Sequence, residues 1–191
     1  MDEVVLLDES GNAVGTAEKH GVHHEHTELH LAFSSYVFDA DRRVLLTRRA
    51  EHKLTWPGAW TNTCCGHPQP GERIEDSVRR RLSDELGLRQ VGELDLVLPR
   101  FRYRAVMPDG TVENEMCPVF RALVHAEPSP NADEVAEAAW LPWQEFADTV
   151  LSGERTVSPW CVLQVTELVK LGQDPFGWPS AERTLLPSAA R

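Results

Sequence analysis

The chain has 191 residues, 41% of them hydrophobic and 26% charged, with a formal net charge of −11. That length suits one folded domain with a real core, and the acidic balance excludes a nucleic-acid partner unless positive charge is concentrated locally. No apolar run approaches the roughly 20 residues that a bilayer span requires, so no membrane partner is expected.

In chain order, Glu3 to Leu7 reads as a strand, turned by Asp8-Glu9-Ser10-Gly11-Asn12 into the second arm of a hairpin. Residues 18–30 then hold five of the eight histidines, His20, His23, His24, His26 and His30. Neutral imidazole is a common metal ligand and His-rich tracts are a compositional metal signal, although a polar surface loop has the same composition. The sequence alone does not choose among the five. Leu29 to Phe38 (LHLAFSSYVF) is β-prone and largely apolar and predicts one central strand. After a turn at 39–43, Val44 to Thr47 returns as a strand ending in Arg48 and Arg49. With Lys53 these make a basic cluster in an acidic chain, suited to phosphate oxygens or simply solvated. Trp56-Pro57-Gly58-Ala59-Trp60 is a bend carrying two aromatic residues that suit a core or a pocket wall.

The most informative stretch is Thr61 to Leu88. Its loop holds Cys64, Cys65, Gly66 and His67, and the turn Gln69-Pro70-Gly71 leads into a helix. Ile74, Val78, Leu82 and Leu86 recur every fourth residue as one buried stripe. Glu72, Arg80, Arg81, Asp84 and Glu85 lie off it, and Gly87 stops the helix. Charged positions joined to a loop with a thiol and an imidazole suggest a metal and phosphate site; a solvated helix face beside a structural loop is the plainer alternative.

Strands are expected at Leu94 to Leu98 and Phe101 to Ala105. A hairpin turn follows at Pro108-Asp109-Gly110, with a return arm from Thr111 to Val124. In that arm Glu113 and Glu115 share a face, where two carboxylates repel unless solvated, protonated or bridged by a cation. A short strand at Ala139 to Leu141 precedes a helix begun by Pro142. A last helix opens with Ser158 as N-cap and Pro159 at its first position and runs to about Leu171. From Gly172 the composition turns to Gly, Pro, Ser and Ala. A single domain over 1–175 and a loosely docked tail over 176–191 are expected. The four cysteines, Cys64, Cys65, Cys117 and Cys161, make a poor disulfide framework. The opening residues lack a cationic, apolar leader, so reduced thiols and a cytoplasmic location are expected.

Gly66, Glu72, Arg80, Leu82, Glu85, Gly87 and Leu88 fall on the pattern G-x5-E-x7-R-E-U-x-E-E-x-G-U, in which U is aliphatic, and the segment resembles the Nudix box. Arg81 and Asp84 stand where that box usually has glutamates. The motifs HLAFSSYVF, TRRA, WPGAWTNTCCGHP, FRYRA, VENEMCPVF and SPW, in this order between about Val4 and Leu171, resemble the type 1 isopentenyl-diphosphate delta-isomerases. The resemblance implies an α/β (α+β) fold, a Nudix-type α/β/α sandwich with a mixed central sheet and a Nudix helix. It implies metal-dependent interconversion of isopentenyl and dimethylallyl diphosphate in isoprenoid biosynthesis. Cys65 and Glu115 would be the catalytic pair, with Tyr103 beside Glu115. His23, His30, His67, Glu113 and Glu115 would hold one divalent ion, Mn²⁺, Mg²⁺ or Zn²⁺. Glu85 would hold a second ion, Mg²⁺, bound through the substrate diphosphate. Lys19, Arg48, Lys53 and Arg81 would contact that diphosphate, and Trp160 would wall the hydrocarbon pocket. The cations and metal near Cys65 would favour its thiolate. The partner is a small-molecule diphosphate, and the chain is a monomer or a homodimer.

Overall fold

The computed structural model describes residues 2–191. A hairpin of β1 (Glu3–Leu7) and β2 (Ala13–Glu18) opens the chain, followed by β3 (His30–Leu31), β4 (Phe33–Phe38) and β5 (Arg43–Arg49). Two short strands, β6 (Trp60–Thr61) and β7 (Cys64–Gly66), lead to α1 (Ile74–Leu86). Strands β8 (Asp95–Leu98), β9 (Arg102–Val106), β10 (Val112–Met116), β11 (Val119–Leu123) and β12 (Val135–Pro142) come next, then α2 (Trp143–Leu151) and α3 (Pro159–Leu168).

They form two sheets. One runs β2-β1-β3-β10-β9; the other runs β12-β5-β4-β11-β8, with β6 on β5 and β7 on β4. The single strand expected over Leu29 to Phe38 is broken at Ala32, and the arm expected over Thr111 to Val124 is broken at Cys117-Pro118. Proline has no N–H for a ladder, which accounts for the second break. The breaks are matched: β3 pairs parallel with β10 in one sheet, and β4 pairs parallel with β11 in the other. Two adjacent strands therefore cross together from sheet to sheet.

All six residues of β4 are buried because both its faces are covered. Phe33 and Val37 point to the stripe Ile74, Val78, Leu82 and Leu86 of α1. Tyr36 and Phe38 point to Trp143 and Phe146 of α2 and Trp160 and Val165 of α3. These are the layers of an α/β/α sandwich with a mixed sheet. Gly87 ends α1 at φ 65°, and its N–H and that of Leu88 close on the carbonyls of Ser83 and Leu82. Ser158 sits at the N-cap of α3, but its side chain makes no capping bond; its Oγ meets Thr61 Oγ1 at 2.8 Å instead.

The tail differs from expectation. Residues 176–191 fold as short single turns and bury Trp178, Leu186 and Ala190. Composition hid these anchors, since one indole among polar residues outweighs them in packing. Trp178 meets the Trp143 ring at 5.0 Å and donates from Nε1 to the Gly172 carbonyl at 2.8 Å. We expect Trp178→Ala to cost about 3–5 kcal/mol, lowering the thermal midpoint by about 6–20 °C. An unchanged melting curve would show that the tail bears no load.

Candidate active site

The register of the first sheet builds the centre of the site. Glu115 on β10 lies opposite His30 on β3 and opposite Tyr103 on β9, so three functional side chains form one row across three strands. Glu115 Oε1 lies 3.0 Å from His67 Nε2, 3.5 Å from His30 Nε2 and 3.7 Å from His23 Nε2. His30 Nδ1 is 2.9 Å from the Glu28 carbonyl, to which it donates, so its Nε2 keeps a lone pair facing inward. The Nε2 atoms of His23 and His30 are buried without any hydrogen-bond partner. One atom from each of His23, His30, His67 and Glu115 lies within 4.8 Å of the others. Buried imidazole lone pairs converging on a carboxylate are the donor set of a divalent metal ion, and these four residues fit one.

Glu113 is buried on the same strand face but stands outside that group of four. Tyr103 Oη lies 3.0 Å from Glu113 Oε2 and 2.8 Å from Glu115 Oε2. Burial raises Glu113, and the Glu115 carboxylate raises it further. Burial also works against the Glu115 anion, but the three imidazoles of His23, His30 and His67 around it override this and hold Glu115 well below the usual carboxylate range. Of the two, Glu115 carries the charge and Glu113 is the readier to hold a proton. His67, largely buried at the cavity wall, is lowered to about 4 by burial and stays neutral, as a ligand must be.

The second sheet supplies Cys65. Along β7 the side chains alternate, so Cys64 packs into the core against α1 while Cys65 faces the other way. Gly66 follows because a Cβ there would come within 3.0 Å of both the Arg81 stem and the Phe33 ring. Cys65 Sγ donates to Asn62 Oδ1 at 3.2 Å and lies 3.2 Å from Ser34 Oγ. Asn62 Oδ1 also accepts from Trp160 Nε1 at 3.0 Å, so one buried amide orients the thiol and the indole together. Ser34 Oγ receives a bond of 2.8 Å from Gln164 Nε2. The protein groups around Cys65 do not by themselves favour the thiolate. Burial pushes the thiol up to about 12, and its contacts with Ser34 and Asn62 only partly offset this.

Cys65, Glu115, Tyr103 and Trp160 line a cavity of about 560 Å³ together with Lys19, Lys53, Arg81 and Glu85. Its other end is charged. Arg81 pairs with the buried Glu85 on the next turn of α1 and lies 3.3 Å from Glu134, which also pairs with Lys53. Burial, and next the Arg81 charge, lower Lys19. Burial raises Glu85, against the pull of Arg81. Arg48 is not brought to this cavity. It pairs outside with Glu137 at 2.7 Å and with Glu51, and Arg49 lines the wall instead. The reason is strand alternation: Thr47 and Arg49 share the cavity face of β5 and Arg48 takes the opposite one. Arg49 donates to the Thr55 carbonyl at 2.9 Å and lies over the Trp160 ring, 5.8 Å from its centroid. Of the extra histidines, His20 reaches the cavity rim, while His24 and His26 are exposed.

Residues 28–161 match the NUDIX domain. An isopentenyl-diphosphate Delta-isomerase of Saccharopolyspora erythraea is 57% identical over 190 residues, spanning 100% of this chain and 97% of its own length. Another, of Rhizobium rhizogenes, is 49% identical over 191 residues, spanning 98% of this chain and 90% of its own. The chain belongs to the isopentenyl-diphosphate delta-isomerase family. This isomerase-family chain also resembles solved structures in fold. DR0079 from Deinococcus radiodurans superposes with a TM-score of 0.66 at 17% identity, over 87% of this chain and 98% of that one. The MutT protein from Methanosarcina mazei Go1 superposes with a TM-score of 0.58 at 19% identity, over 73% of this chain and 91% of its own. Among the described residues no helix is long and apolar enough to cross a membrane.

Within this family member, sequence reasoning missed Asn62, Ser34, Gln164 and Glu134, and placed Arg49 in the basic cluster without separating it from Arg48. Ser34 and Asn62 carried a usable signal, since polar side chains inside the runs LAFSSYVF and WTNTCC must find partners once buried. Gln164 and Glu134 carried none, because polar residues on a helix or in an acidic loop are ordinary.

Proposed function

We propose that the protein interconverts isopentenyl and dimethylallyl diphosphate by protonating and deprotonating the alkene within the cavity shared by Cys65 and Glu115. The observation that carries this reading is that one cavity has Cys65, Tyr103, Glu115 and Trp160 at one end and Lys19, Lys53 and Arg81 at the other. That is an acid–base pair and an aromatic wall joined to an anion cradle.

The reaction moves a double bond by one position. A proton adds to the terminal alkene carbon and another leaves the carbon on the far side of the resulting tertiary cation. An unactivated alkene is a very weak base, so the proton carriers must be held against the carbons on opposite faces. Cys65 serves one face, its thiol aimed by Asn62. Glu115 serves the other, with Tyr103 holding or relaying a proton at the Glu115 oxygen opposite the histidines. The reaction is reversible, and each side gives in one direction what it takes in the other. Trp160, its Nε1 tied to Asn62, offers an indole face that stabilises positive charge without trapping it as water would. His23, His30, His67 and Glu115 would hold a divalent ion, Mn²⁺, Mg²⁺ or Zn²⁺, with Glu113 beside them; bound there it tunes the proton affinity of the Glu115 carboxyl. At the other end Lys19, Lys53 and Arg81 clamp the diphosphate, with Arg49 reaching it from the wall beside Trp160, and Glu85 would hold the Mg²⁺ that accompanies it. The clamp matters because diphosphate is an allylic leaving group in the product.

Incubation with isopentenyl diphosphate and Mg²⁺, following the isomer ratio, tests the reading; phosphate release without isomer formation would sink it. The two neighbouring arginines give a sharper check. Arg49→Ala is expected to raise KM about tenfold to a hundredfold, the worth of one or two charged hydrogen bonds. Arg48→Ala, which removes only outward-facing ion pairs, is expected to leave KM nearly unchanged. The reverse order would put the clamp on the other face of β5.

A further inference from the structure

Glu134 has no part in the reaction as described, yet it occupies the cradle. It stands just before β12, its backbone fixed by bonds from its N–H to the Asn131 carbonyl at 2.9 Å and from the Ala50 N–H to its carbonyl at 3.1 Å. One carboxylate oxygen, Oε2, takes both Lys53 Nζ and Arg81 Nη2. Arg81 does not need this second anion, because Glu85 already pairs with it on α1. The two carboxylates differ in freedom. Glu85 is buried under the helix, whereas the Glu134 side chain is 24% exposed at the cavity.

We propose that Glu134 is a built-in counter-ion of the diphosphate cradle, which an incoming diphosphate displaces from Lys53 and Arg81. The proposal rests on reading that end of the cavity as a diphosphate site. A diphosphate placed on Lys53 and Arg81 would lie beside the Glu134 carboxylate, and like charges at that range oppose binding. Glu134 can leave by turning its side chain toward solvent, without moving the backbone that anchors β12. Until then it satisfies two cations that would otherwise attract any anion. A diphosphate brings more charge and more oxygens than a single phosphate with which to replace it on both partners at once. Glu134 thus sets affinity downward and selectivity upward, a penalty built against the wrong ligand.

The test measures binding of inorganic pyrophosphate and inorganic phosphate, each with Mg²⁺, by calorimetry on the wild type, Glu134→Gln, Glu134→Ala and Lys53→Ala. Both Glu134 variants are expected to bind pyrophosphate about tenfold more tightly, a change of about 1.4 kcal/mol, and to gain measurable phosphate binding. Unchanged or weaker pyrophosphate binding in the folded Glu134 variants overturns the proposal; it would mean that the carboxylate positions the cations or shares the Mg²⁺. Lys53→Ala separates the two levels. If it weakens pyrophosphate binding while the Glu134 variants fail to strengthen it, the counter-ion idea falls and the cradle stands. If it leaves pyrophosphate binding untouched, the cradle reading falls with it.

Discussion

Cys65→Ala is expected to lose nearly all turnover, about 10²–10⁴-fold, the range carried by a positioned proton donor or acceptor. The fold should survive. Cys65 contributes one bond to Asn62 Oδ1, and that oxygen keeps Trp160 Nε1 and Thr61 Oγ1, at 3.0 and 2.8 Å. The Asn62 amide nitrogen stays on the carbonyls of Ser35 and Cys64. Cys65→Ser makes the experiment cleaner, because a hydroxyl can still donate to Asn62 while being a far weaker acid than a thiol and so a far poorer proton carrier. Both variants are to be measured by isomer ratio against time, with thermal melting beside it. Turnover near the wild-type level in a folded Cys65→Ala protein would mean that the acid–base pair is wrongly assigned.

His67→Ala should lose metal affinity by at least about a hundredfold. Removing even the outer partners of metal ligands typically costs 10–100-fold, and His67 lies nearest to Glu115 of the three histidines. The readout need not be activity. A divalent ion at a hundred times its dissociation constant stabilises the wild type by about 2.7 kcal/mol. That corresponds to a rise of about 5–11 °C in the melting midpoint of a domain of this size. In His67→Ala that rise should vanish while the metal-free midpoint changes little, since a neutral imidazole leaves a site already open to the cavity. Retained stabilisation would show that the ion sits elsewhere, with the exposed His24 and His26 the next residues to test.

The legible parts of this fold were those with a period or a stop. The α1 stripe, the left-handed Gly87 and the hairpin at Pro108-Asp109-Gly110 all appear where local rules put them. The illegible parts depended on tertiary contact. Nothing local distinguishes LHLAFSSYVF as one strand from two strands in different sheets; the break at Ala32 exists because β10 and β11 break beside it. Arg48 and Arg49 differ only in which face of β5 they take, and nothing local in the run LLTRRA tells which face meets the cavity. Of the five residues that the resemblance implies as ligands, His23, His30, His67 and Glu115 converge closely, and Glu113 is linked to them through Tyr103, which bonds both carboxylates. The surroundings of Cys65 were not legible either, because the burial that raises its thiol depends on how β7 pairs with β4.

The parallel pairing of β3 with β10 also bears on how the protein comes to fold. His23, His30 and His67 all precede α1, but the carboxylate they surround arrives only with β10, after the helix and three further turns of chain. Parallel pairing across so long a loop is a slow closure. A partly synthesised chain ending before residue 112 would carry all three imidazoles and no Glu115, a soft trap for stray metal rather than a site. An ion held by these four residues would have to wait until the first sheet has closed, so refolding in the presence of metal should show a late, metal-sensitive phase and an early one that ignores it.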